Sequence, residues 1–180
     1  MVTALWGRTG MATDWFVATN GAKTASGTLN SPWDISTAFQ NTLPNNSHPI
    51  QPGDTVWIRG GMYIGDSTSY PGSFTLNESS HLNGVPANPI TVRNCNQERV
   101  TLNGWLYTTI SNVWFWGLEF TITNDPPPVT LTRTEQDMQI GNGVYRHSGI
   151  QISGPGVKVI NCIIHDCYES SRVSVGGVEA

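Results

Sequence analysis

The chain repeats one five-residue phrase six times: apolar, any, apolar, any, then Gly or Asn. The copies are Val56–Gly60, Ile90–Asn94, Val100–Gly104, Val113–Gly117, Ile150–Gly154 and Val157–Asn161. Alternation with a period of two is the pattern of a strand with one buried face. Val, Ile, Phe and Thr suit a pleated surface. Gly and Asn best tolerate a left-handed backbone. Each phrase therefore predicts a very short strand stopped by a sharp turn at its last residue. Ile90 to Val113 is 23 residues, and Val113 to Val157 is 44, close to twice 22. Short strands and tight turns recurring at this interval predict a parallel β-solenoid.

The length of 180 residues fits one domain. Charged residues make up only 12%, while turn formers abound, which describes a turn-rich β protein rather than a helical one. A net charge of −4 argues against a nucleic-acid backbone as partner. No stretch approaches the roughly 20 apolar residues of a membrane span. The N-terminus lacks a basic start followed by an apolar run, so it does not read as a signal peptide. Cys95, Cys162 and Cys167 have no metal-like spacing and read as small apolar core residues.

Residues 1–13 are expected to be disordered or a leader remnant. The folded part is expected over residues 14–167. Asp14 to Asn20 reads as a strand ending in an Asn-Gly turn. Ser31-Pro32-Trp33-Asp34 reads as a helix start, with Ser31 as N-cap and Pro32 at the first helical position. Ile35, Ala38, Phe39 and Leu43 follow at helical spacing, predicting a helix over Pro32–Thr42 that caps the apolar end of the coil stack. Residues 123–143 break the repeat as an insertion, of the kind that maps to one face of a solenoid. Residues 168–180 carry no phrase and read as an irregular tail, which predicts truncation at the C-terminus.

Three longer stretches then stand together: Phe16-Val-Ala-Thr-Asn-Gly, Gly27-Thr-Leu-Asn-Ser-Pro-Trp and Gln51-Pro-Gly-Asp-Thr-Val-Trp-Ile-Arg-Gly-Gly-Met-Tyr. With Pro89-Ile-Thr-Val-Arg, Val113-Trp-Phe-Trp-Gly-Leu-Glu-Phe and Gly154-Pro-Gly-Val-Lys-Val-Ile-Asn-Cys-Ile-Ile-His-Asp, they resemble right-handed parallel β-helix repeat proteins of the pectate-lyase-like superfamily. The resemblance covers roughly residues 14–167. It implies the N-terminal cap and first coils of a longer, extracellular or cell-surface, carbohydrate-active protein of polysaccharide lyase-like type, with this segment mainly structural. The partner it implies is a polysaccharide or other glycan; no cofactor is identified in this chain, and calcium is one that the resemblance allows for the full-length protein. The alternative is a non-catalytic glycan-binding surface, an adhesin or a phage receptor-binding protein. An incomplete gene product with no function of its own is a third reading.

A lyase must neutralise the uronate carboxylate, remove the proton beside it and assist the leaving oxygen. At the 44-residue offset Glu119 lies over Ile163 and Trp114 over Lys158, so no column of carboxylates forms and no metal site is assigned. No catalytic residue is assigned either. His165-Asp166 reads as a turn pair bonded to a neighbouring coil. Asn94 and Asn161 read as turn residues whose amides stack between coils. His48 and His81 carry no signal. Tyr145, Arg146 and His147, directly after the insertion, form the best polar cluster. Trp57, Trp114 and Trp116 hold the alternate, outward positions of their phrases. Of these, Trp114 and Trp116, with Tyr145, Arg146 and His147, are the carbohydrate-binding candidates, because flat aromatic faces suit sugar stacking.

Overall fold

The computed structural model describes residues 12–65, 72–122 and 149–167, and among these twelve short strands, one α-helix and a single 3-10 turn at Glu78–Ser80 form. Tyr145, Arg146 and His147, the 123–143 insertion and the 168–180 tail lie outside the described residues, as does most of 1–13. In chain order the elements are β1 Asp14–Val17, α1 Ile35–Gln40, β2 Thr55–Ile58, β3 Gly61–Ile64 and β4 Ser73–Leu76. There follow β5 Ile90–Asn94, β6 Val100–Asn103, β7 Trp105–Thr108, β8 Val113–Trp116 and β9 Glu119–Thr121. The last are β10 Ile150–Ile152, β11 Lys158–Ile160 and β12 Ile163–Ile164.

Every strand pairing is parallel. The first sheet runs β1-β2-β5-β8-β11, the second β3-β6-β9-β12 and the third β4-β7-β10. Each winding visits the three sheets in turn, so β2-β3-β4, β5-β6-β7 and β8-β9-β10 are successive coils, and β11-β12 open a fourth. This is the expected right-handed parallel β-helix.

The interval of 44 residues is corrected by the pairing. Lys158 pairs with Trp114, so β8 and β11 are neighbours, and the interval is one winding lengthened by the insertion rather than two windings. The insertion lies between β9 and β10, at the corner from second to third sheet. The same corner holds residues 65–72 in the first winding and only Gly104 in the second. Extra chain at a corner leaves the strand register untouched, which is why coils of unequal length still stack.

The phrases place their apolar residues inward as predicted. Val56, Ile58, Ile90, Val92, Val100, Leu102, Val113 and Phe115 are all buried. Full burial of such side chains contributes about 1.5–3 kcal/mol each. In the last described strands the same positions are less covered: Ile150, Val157 and Val159 are only half-buried, and Ile152 is 40% exposed.

Two expectations about turns and caps are revised. Among the phrase ends, Gly104, Gly117 and Asn161 have positive φ, whereas Gly60, Asn94 and Gly154 do not. The left-handed residue there comes later, at Gly61, Asn96 or Gly156. Gly154 is needed instead for space, since a Cβ would collide with the Ile110 carbonyl oxygen. The helix starts at Ile35, with Asp34 as N-cap accepting from Thr37 N at 2.7 Å. Ser31 and Trp33 are drawn into β-bridges, Ser31 with Thr28 and Trp33 with Val17, so residues 31–33 extend the β-layer and the helix begins later. Buried Phe39 meets Phe74 of β4 edge to face at 5.7 Å, and Trp33 stacks on Trp15 at 4.7 Å. The helix thus packs on the first winding.

Candidate functional site

Parallel in-register strands bring every second outward residue into a column, and two outer faces carry chemistry. On the first sheet the register places Phe16, Trp57, Arg93, Trp116 and Ile160 in one row. The Arg93 guanidinium lies between two indoles, 4.8 Å from the Trp57 ring and 5.1 Å from the Trp116 ring. Its Nε is buried with no hydrogen-bond partner. In the adjacent row the Lys158 ammonium sits 4.4 Å over Trp114. Cations over indole faces are attracted by the ring quadrupole. Trp57 also donates through Nε1 to Asp14 at 2.8 Å. The three tryptophans are half-buried on the outer face, as their alternation predicted. The 44-residue offset had set Lys158 over Trp114, whereas the place of Arg93 between Trp57 and Trp116 left no signal in the sequence. Strand pairing across coils created those contacts.

The second sheet carries a polar cluster of which the sequence singled out only Glu119, by its offset, and His165-Asp166, as a turn pair. Glu119 faces outward on β9 but is only 6% exposed. Arg99, just before β6, grips it with two donors, Nε to Oε2 at 2.6 Å and Nη2 to Oε1 at 2.7 Å. Thr101 donates to Oε2 at 2.9 Å. His165 Nε2 lies 2.7 Å from Oε1, and His165 Nδ1 lies 2.7 Å from Asp166 Oδ2. Three windings meet at one carboxylate. Arg99, Thr101, Glu119 and His165, with Gly61, Met62 and Thr121, line a groove of about 330 Å³.

The electrostatics follow from those contacts. The Arg99 hydrogen bonds hold the Glu119 carboxyl down to about 2, against the upward pull of burial and with help from His165 and Thr101. Hydrogen bonds to Glu119 and then Asp166 raise the His165 imidazole above its ordinary value. Four donors occupy the four lone-pair sites of Glu119, so the carboxylate has none left for a base, a cation or a ligand. This set does not fit calcium, which takes six to eight oxygen ligands. No group of three metal-ligating side chains occurs among the described residues. On β3 of the same sheet, burial pushes the Tyr63 phenol up to about 12, and it donates to the Arg59 carbonyl at 2.8 Å.

His165-Asp166 is the turn pair bonded to a neighbouring coil that the sequence suggested. Asp166 has a left-handed φ of 53°, as a turn residue should, and His165 reaches the preceding winding through Glu119. The Asn stack is broken. Asn94 and Asn161 share a column with Gly117 between them, and the Asn94 amide donates to Glu98 O at 3.2 Å. The 44-residue offset set Glu119 over Ile163, as the pairing shows, but gave no sign that His165 reaches Glu119. Arg99 and Thr101 left no such signal, because turn lengths differ between windings and no constant period connects them.

No helix among the described residues is long and apolar enough to cross a membrane. No protein-family model and no curated protein matches the sequence. Among solved structures the chain is similar to the pectate lyase Pel9A, with TM-score 0.50 and 17% identity over 87% of this chain and 41% of that one. It is also similar to a rhamnogalacturonan lyase, with TM-score 0.42 and 13% identity over 85% of this chain and 58% of that one. The chain thus spans less than half the length of the pectate lyase. The likeness is one of fold, a right-handed parallel β-helix.

Proposed function

We propose that the chain is part of a carbohydrate-active β-helix protein and that the outer face of its first sheet holds a glycan, with Trp114 and Trp116 as stacking platforms. The observation that carries this reading is the pairing of those rings with cations, Lys158 at 4.4 Å from Trp114 and Arg93 at 5.1 Å from Trp116. Aromatic faces provide apolar contact for the sugar ring, and the two cations favour a glycan that bears negative charge. The lyase-type fold is consistent with such a partner, and an extracellular or cell-surface setting belongs to the same proposal. Holding rather than cleaving is favoured because every acceptor site of the buried Glu119 is already taken.

Titration calorimetry of the whole chain with pectate, alginate and chondroitin, against neutral dextran, tests the reading. Binding is expected to the acidic chains, weaker in high salt. Trp114→Ala or Trp116→Ala is expected to weaken it about two- to tenfold with circular dichroism unchanged. Binding to none of the acidic chains, or binding indifferent to both substitutions, overturns it.

A further inference from the structure

We propose that His165 is a pH-sensitive clasp holding the fourth winding against the third. The geometry carries this. Both ring nitrogens of His165 lie 2.7 Å from carboxylate oxygens, Nε2 from Glu119 and Nδ1 from Asp166. Ionised carboxylates only accept hydrogen bonds. A neutral imidazole has one N–H and one lone pair, so neither tautomer can donate to both. Only the imidazolium fits the arrangement. When the proton leaves, one contact becomes lone pair against lone pair, and the other falls from a charge-assisted bond to an ordinary donor on a carboxylate.

The surroundings make His165 the titrating member. Among the described residues the charged groups facing it are Glu119 from β9, Asp166 beside it and Arg99, which reaches it through Glu119. Cys167 contributes only a thiol contact to the His165 carbonyl at 3.3 Å. Arg99 stays charged throughout. Glu119, with its carboxyl held down to about 2, stays ionised above mildly acidic pH. The raised imidazole supplies the sign: the clasp is complete below the ordinary histidine value of 6.5 and is lost as pH rises through the raised one.

The fourth winding is where such a clasp matters. Its inward Ile164 is 50% exposed and the neighbouring Ile152 40%, so apolar burial anchors this winding weakly. Two backbone bonds beside the clasp join the windings, Ile163 N to Leu118 O at 3.0 Å and His165 N to Phe120 O at 3.1 Å. Their amides report its state directly. The same winding carries Lys158, so loosening it would also draw the cation away from Trp114. That consequence rests on the glycan reading, whereas the exchange measurement below does not.

The test is amide exchange of Ile163 and His165 by NMR on the whole chain between about pH 5 and pH 9, corrected for intrinsic base catalysis and referenced to Val92 and Phe115, with ring nitrogen shifts of His165 recorded alongside. Protection of the two amides is expected to fall about fivefold in step with the His165 titration. His165→Gln, which cannot titrate, should be flat at the lower level. Asp166→Asn keeps a residue tolerant of the left-handed backbone and should move both the titration and the loss of protection to lower pH. Ring shifts showing a neutral His165 near pH 5, flat protection in the unmodified chain, or the same pH profile in His165→Gln overturns the proposal.

Discussion

Gly117 sits where the backbone asks for something a side chain cannot give. Its φ is 67°, and a Cβ would run into the Asn94 amide of the winding before it. Gly117→Ala is expected to cost about 1–2 kcal/mol for the left-handed backbone alone. A fall in the thermal midpoint should show it, and an unchanged midpoint would mean that the turn relaxes freely. Glu119 makes a second residue-scale prediction. Its depressed carboxyl contributes stability that is present above the ordinary value of 4.5 and lost as pH falls towards about 2. Denaturant unfolding followed through that range should show an acid limb that Glu119→Gln flattens. A limb of equal slope in both proteins would place the acid sensitivity elsewhere.

At the scale of elements, the cap helix separates two candidates for its first residue. Asp34 accepts from Thr37 N at 2.7 Å and from Thr37 Oγ1 at 3.1 Å. Ser31 instead donates its N–H to Thr28 O in a β-bridge. Asp34→Ala is therefore expected to cost about 1 kcal/mol, the usual worth of an N-cap. Ser31→Ala should stay within about 0.5 kcal/mol. Equal losses in urea unfolding would restore Ser31 as the cap. The six-residue helix is too short to stand alone, so it depends on packing: Ile35, Ala38 and Phe39 are buried, and Phe39 meets Phe74.

For the whole molecule, three parallel sheets wound as a coil leave function to the outer faces, since the interior is filled by Val, Ile, Leu and Phe. The chain alone is expected to show no lyase activity. The buried Glu119 carboxylate already accepts from four donors, so it is not poised to take a proton from a sugar. Absorbance of unsaturated products on pectate, alginate and chondroitin, with and without calcium, checks this. Robust turnover abolished by Arg146→Ala or His147→Ala would make those two residues the working site and the outer faces secondary.

The strand phrases determined by themselves that the chain is a parallel coil, and which side of each strand faces in. Alternation is a local property, and burial of Val56, Val92 and Phe115 follows from it whatever the coil lengths. The outward placement of Trp114 and Trp116 was legible for the same reason. Pairing between windings was not. Whether an interval of 44 residues is one winding or two depends on where the insertion leaves the helix, and that is set by the Lys158–Trp114 register. The Arg99–Glu119–His165 clasp lay beyond sequence reading for a related cause. Its members are 20 and 46 residues apart along the chain, separated by turns of unequal length. Only stacking of the second sheet, strand upon strand, brings them to one carboxylate.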